Sequence, residues 1–177
     1  MENMNQNINL LESISNEKKI EILRKNWMSH EARYQMTIVQ EFGWEKANKI
    51  NKTVIHEMGK VMMYRLINAL GISYVDNIDN FKDICLTIQE FYYPSPIFSV
   101  HFDRESDTSL TGRVEKCGII ENIKRLGVSD QYECGFFAMR SGWYEALGMM
   151  VEEKLGDCLK NGANACKISV FVKKWSK

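Results

Sequence analysis

The stretch PSPIFSVHFDRESDTSLTGRVEKCG, residues 94–118, decides the fold. Ahead of it apolar residues recur at helical steps. Within it Phe98, Val100 and Phe102 alternate with Ser99, His101 and Asp103, which is the period of a half-buried strand. Leu110 to Cys117 repeats the alternation, and the polar run Arg104 to Ser109 between the two predicts a turn, so the stretch reads as an antiparallel hairpin. Pro94 and Pro96 at its head cannot continue a helical ladder and close the helix before it.

Outward from the hairpin the pattern is mostly helical. A helix opens near Asp79 and carries Phe81, Ile84, Cys85, Ile88 and Phe91 on one side, with Cys85 expected to act as a small buried hydrophobe. Two long helices precede it. Asn16 can cap the first, whose apolar residues are Ile20, Leu23, Trp27, Tyr34, Ile38 and Phe42, and Gly43 stops it. The second starts at Trp44, buries Ala47, Ile50, Val54, Met58, Val61, Leu66 and Leu70, and ends at Gly71. Beyond the hairpin the spacing predicts a short helix over Ile119 to Leu126, a longer one from Ser141 to Leu155, and a last strand from Lys167 to Lys173. The fold class expected is α+β, with N-terminal long helices packed on a small antiparallel sheet and further helices towards the C-terminus. Residues 1–15 are too polar to pack and are expected to form a flexible arm, leaving 16–177 as a single domain.

Composition narrows the function classes. The 23 Lys plus Arg balance 23 Asp plus Glu, so the basic footprint of a nucleic-acid binder is missing. The opening MENMNQNINLLESIS has neither a basic start nor an apolar run, and no apolar stretch is long enough to span a bilayer, so no membrane partner is expected. The 5 cysteines are odd in number and scattered, which fits free thiols in a reducing, cytoplasmic compartment. No GxGxxG, GxxxxGK, GxSxG or HExxH pattern occurs, and no cofactor is predicted.

The candidate site residues come from breaks in these patterns. On the first long helix the turn between Trp27 and Tyr34 holds His30 and Glu31 where an apolar residue would fit, with Arg33 close by. An imidazole there can serve as base, acid or ligand if it faces a pocket, or bond a carbonyl if it does not. Asn51 lies on the inner stripe of the second helix and can orient a carboxylate or bond the backbone. His101 belongs to the polar face of its strand, which either a ligand or water covers, and His56 is expected to face solvent. Cys117 ends a strand just before a helix, where the helix N-terminus favours a thiolate nucleophile, and Cys134 before Gly135 is the second candidate. With Cys158 and Cys166 these make four thiols in the C-terminal half, a zinc-capable set that lacks the CxxC spacing of structural zinc sites.

The segment from Trp27 to Ile72 resembles the N-terminal signature of the L-2-amino-thiazoline-4-carboxylic acid hydrolase-like family of mostly bacterial proteins. The matching residues are Trp27, the pair His30 and Glu31 with a glutamate in place of aspartate, the turn Glu41 to Gly43, and Ala47, Asn48 and Asn51. The C-terminal cysteines extend the likeness to about Val172 and are more distantly similar to vinyl-4-reductase-type small-molecule-binding domains. The resemblance implies a hydrolase acting on a C–N bond of a small, cyclic, amino-acid-like substrate. In that reading Cys117 or a bound water is the nucleophile, His30 carries the proton, and Asn51 or Arg33 holds the carboxylate. The alternative is a non-catalytic sensor or carrier domain enclosing a small molecule. The partner expected is a small-molecule ligand, with self-association into a homo-oligomer left open.

Overall fold

The computed structural model describes residues 10–176. Of the expected arm, residues 1–9 lie outside the described residues, and Leu10–Ser13 form a 3-10 turn. The elements that follow are α1 (Asn16–Leu70), α2 (Ile78–Tyr92), β1 (Phe98–Ser106), β2 (Ser109–Cys117), α3 (Gly118–Arg125), α4 (Phe136–Ala146), β3 (Met150–Leu155) and β4 (Cys166–Lys174), with a 3-10 turn at Leu159–Asn161 between the last two strands. The fold is α+β, as the change of period after Pro96 implies.

Helix α1 is two helices joined at Gly43, whose φ of 77° and ψ of 168° are open to glycine and costly for other residues. The two long helices expected from the sequence are therefore present, with the break at the predicted residue. The chain divides near this point into two compact units, one reaching Glu41 and the other spanning Phe42–Lys177. In the first unit the helix is laced by Glu21, which bonds Lys18 at 2.8 Å and Lys25 at 2.5 Å one turn to either side. Its apolar stripe is unevenly covered: Ile20 and Leu23 are exposed, whereas Ile38 is buried.

In the second unit the strands form one antiparallel sheet in the order β1-β2-β4-β3. Phe98, Leu110, Gly112, Val114, Ile168, Val170 and Val172 are buried along it, at every second residue on β2 and β4. Helix α2 packs on β1 and β2, and α4 on β3. The core centres on Trp143, Phe81, Met62, Met63, Ile78, Ile88 and Leu110. The second part of α1 approaches α4 closely enough that a Cβ on Gly59 would overlap the Met139 carbonyl and a Cβ on Gly142 would overlap the His56 carbonyl. Only glycine permits that contact.

One element corrects the sequence reading. The helix expected from Ser141 to Leu155 starts earlier, ends at Ala146, and gives way to strand β3. Gly148 at φ 66° turns the chain, and the run Met-Val-Glu-Glu-Lys-Leu then pairs with β4 although most of its residues favour helix. Cross-strand pairing with Val170 and Phe171 outweighs the local preference. Among the described residues no helix is long and apolar enough to cross a membrane.

Candidate active site

The polypeptide brings four of its five cysteines to one place. Cys117 ends β2, Cys134 precedes α4, and Cys158 and Cys166 flank the turn between β3 and β4; all four line a cavity of about 40 Å³. Phe98, Val114, Ile120, Phe136, Phe137, Leu155, Ile168 and Arg140 complete its wall, and every lining residue belongs to the second unit. No nitrogen or oxygen atom reaches the cavity surface, which is carbon and sulfur throughout. The fifth cysteine, Cys85, is fully buried in α2, where burial pushes its thiol far above the usual range, in keeping with its expected packing role.

Two of the thiols sit at helix starts. Cys117 is the residue before α3, and Cys134 stands two residues before Phe136, the first residue of α4. The amides at these helix starts favour the thiolate, as the sequence reading expected, yet burial prevails at both. The Cys117 thiol is pushed up to about 11 by burial, and burial likewise raises Cys134, where the Phe136 amide and the Arg140 charge pull the other way. Cys166 is pushed up to about 12 by burial although the Leu159 N–H donates to its sulfur at 3.2 Å; its own S–H points to Cys158 Sγ at 3.5 Å. All five cysteines are free thiols. Among the described residues no group of three or more His, Cys, Asp or Glu side chains is arranged to hold a metal ion.

Behind the thiols stands a charge. Arg140 is 2% exposed, donates from Nε to Glu153 Oε1 at 2.7 Å and from Nη2 to Oε2 at 3.1 Å, and lies 4.7 Å from the ring centres of both Phe136 and Phe137. The Tyr144 hydroxyl donates to the same Oε1 at 2.5 Å, so the buried Glu153 carboxylate is satisfied by three donors. Burial works against the Arg140 cation, but Glu153 outweighs it and the guanidinium holds its proton more firmly than usual. A bidentate, stacked arginine is the arrangement that tolerates this degree of burial.

The loop that carries Cys134 is tied to α1. Asn48, 3% exposed, donates from Nδ2 to the Gln131 carbonyl at 2.7 Å and accepts the Glu133 N–H on Oδ1 at 3.1 Å. One turn along the helix Lys52 pairs with Glu133, and Lys160 donates to the Tyr132 carbonyl at 2.9 Å. Asn51 lies against Gly135, with its Nδ2 3.2 Å from where a Cβ would stand. Asn51 thus borders the Cys134 loop.

The remaining sequence candidates lie elsewhere. His30 is exposed in the first unit and stacks on Tyr34, 6.1 Å between ring centres, and Arg33 is also exposed. The burial expected at that turn falls on Glu31, whose carboxyl burial pushes up to about 7. His101 is exposed on edge strand β1, with Nε2 3.7 Å from Glu115. His56, expected to face solvent, is half-buried between Glu57 and Glu145. Sequence reasoning passed over Arg140, Glu153 and Tyr144, and took Asn48 only as part of the family signature. Arg140 had a signal: with Phe136, Met139 and Trp143 it occupies one helical stripe, but a helix begun at Ser141 leaves it outside.

The model of the family described as L-2-amino-thiazoline-4-carboxylic acid hydrolase matches residues 23–170. The chain belongs to that family. The match covers both the signature around Trp27 to Ile72 and all four cavity cysteines. No curated protein matches the sequence. Among solved structures, trafficking protein particle complex subunit 3 from Naegleria fowleri, covalently bound to palmitic acid, is similar at a TM-score of 0.54 and 15% identity, over 90% of this chain and 98% of that one. At that identity the likeness is one of fold.

Proposed function

We propose that this member of the L-2-amino-thiazoline-4-carboxylic acid hydrolase family is a cysteine-dependent hydrolase that opens a C–N bond in a small, cyclic, amino-acid-like substrate. The observation that carries the reading is the convergence of Cys117 and Cys134, each ahead of a helix, on one enclosed cavity. Cys134 is the better nucleophile of the two, because Arg140 adds positive charge to the Phe136 amide that already favours its thiolate. Its sulfur adds to the ring carbon that bears the amino group. The ring C–N bond then breaks and its nitrogen leaves with a proton. One water attacks the thio-linked carbon, expels the Cys134 sulfur and releases the opened product. Cys117 borders the same space, and Asn51 lies beside the Cys134 loop.

The test is turnover of L-2-amino-thiazoline-4-carboxylic acid by the full chain. Cys134→Ser abolishes ring opening and Cys158→Ser does not; a Cys134→Ser protein that opens the ring at the wild-type rate sinks the assignment.

The carbon-and-sulfur surface of the cavity favours a second reading, a carrier that encloses an apolar group, and the fold likeness to a palmitate-bearing protein points the same way. The intact mass of the purified chain separates the two: a stable acyl adduct on a cavity cysteine supports the carrier, and an unmodified mass with turnover supports the hydrolase.

A further inference from the structure

A buried, paired arginine at the wall of an otherwise apolar cavity calls for an explanation, because a core built for packing alone is served as well by aliphatic side chains and avoids the desolvation of two charges. We propose that Arg140 is the positioning residue of the thiol cavity: clamped between Phe136 and Phe137 and held on one edge by Glu153, its guanidinium supplies the positive charge against which Cys134 performs its chemistry. The proposal rests on the reading of Cys134 as nucleophile.

The geometry supports it in three ways. Arg140 and Cys134 line the same cavity, from the body and the leading edge of the same helix. The cation cannot swing away, since Nε and Nη2 are fixed on Glu153 and the two phenyl rings confine the guanidinium plane. Glu153 is in turn fixed by the Tyr144 hydroxyl. The charged and titratable groups facing Cys134 are few: Arg140 on α4, Lys160 on the turn after β3, and the thiols of Cys117, Cys158 and Cys166. Lys160 is engaged with the Tyr132 carbonyl, so Arg140 is the buried cation of the set.

The ion pair makes a signed prediction. Glu153 damps the field that Arg140 exerts, so removing either partner should move Cys134 in opposite directions. A role confined to packing moves it the same way, because either loss loosens the core and exposes the thiol. The experiment is site-resolved alkylation of the reduced full chain by iodoacetamide across a pH series, read by mass spectrometry for every cysteine, with thermal melts to confirm folding. Arg140→Gln is expected to slow Cys134 labelling about tenfold and to shift its pH profile upward by about one unit, and Glu153→Gln to speed it by a similar factor with a downward shift. Arg140→Lys, which keeps the charge and loses the fork, recovers part of the lost rate. Cys117 and Cys166 serve as internal standards.

Displacement of Cys134 in the same direction by Arg140→Gln and Glu153→Gln overturns the proposal, and so does parallel acceleration of all the cysteines. If Arg140→Gln fails to fold, Glu153→Gln decides alone, and the absence of a gain selective for Cys134 overturns it. Alkylation needs no substrate, so a Cys134→Ser protein that still opens the thiazoline ring refutes the nucleophile assignment without touching the measured coupling of Arg140 to Cys134.

Discussion

Helix α4 and the first part of α1 each interrupt an apolar stripe with charge, Arg140 in one and Glu31 beside His30 in the other. In α4 the stripe is covered: Met139 and Trp143 are 1% exposed, and Arg140 among them finds a carboxylate braced by a hydroxyl and two aromatic rings. In the first part of α1 Leu23 and Tyr34 are 68% and 51% exposed, and His30 meets only the face of a neighbouring ring. A polar residue on a helical stripe marks a site when the stripe is buried, because only then must the group be satisfied by design of the surrounding structure. The same sequence signal on an open stripe carries no such demand.

The contrast is broken most directly at the Arg140 and Glu153 pair. Arg140→Met leaves a carboxylate 7% exposed with its main partner gone, and breaking a buried pair in this way costs ~3–5 kcal/mol. Replacing both, as Arg140→Met with Glu153→Leu, recovers most of that loss, since no unpaired charge remains. Urea denaturation of the two proteins checks it; a double variant no more stable than the single one means the aromatic packing of Arg140, and not its charge, is what the core needs.

Next in size is the seam between the second part of α1 and α4. Gly59→Ala puts a methyl group on the Met139 carbonyl, a backbone atom that cannot rotate aside, so the helices must part at a cost of about 3 kcal/mol. Gly71→Ala meets no atom within 4 Å and is strained only by its φ of 67°, which sets its cost at the smaller ~1–2 kcal/mol of a left-handed non-glycine residue. Equal melting temperatures for the two variants would show that the seam relaxes. Asn48→Ala follows at about 2 kcal/mol, because it strands the Glu133 N–H and the Gln131 carbonyl in a partly buried turn. Its loss should also raise hydrogen exchange at Gln131 to Cys134 above that of α2, and uniform exchange would count against a local tie.

Much of this was legible in the sequence. The alternation around Phe98 to Phe102, the stops at Gly43 and Gly71, and the helix start after Cys117 all reflect local steric rules, which act through neighbouring residues alone. The strand Met150–Leu155 was hidden because its pairing partner lies in β4, and propensity carries no information about a partner. The site was half legible. Cys117 and Cys134 could be chosen from helix-start position, but that Cys158 and Cys166 join them depends on the turn between β3 and β4. Asn48 and Asn51 occupy one helix face a turn apart, and which of them is buried was decided by the loop packed against them, a long-range fact.

The smallest expected effect belongs to the open side of the comparison. Burial holds the Glu31 carboxyl at about 7, above its ordinary 4.5, so the folded chain binds this proton more tightly than the unfolded chain does. The stabilisation from the protonated form is complete below 4.5 and is lost as the pH climbs through about 7, since the unfolded chain ionises first. Glu31→Gln keeps the shape and is neutral at every pH. Its melting temperature should match that of the wild type near about pH 4 and exceed it increasingly up to about pH 8, where the wild-type carboxylate is ionised in both states. Two melting curves recorded across that range are enough. A difference that stays constant with pH would show that Glu31 ionises at an ordinary value and is wet in the folded chain, which would place it with His30 on an open stripe and leave the Arg140 and Glu153 pair as the charges that the fold encloses by design.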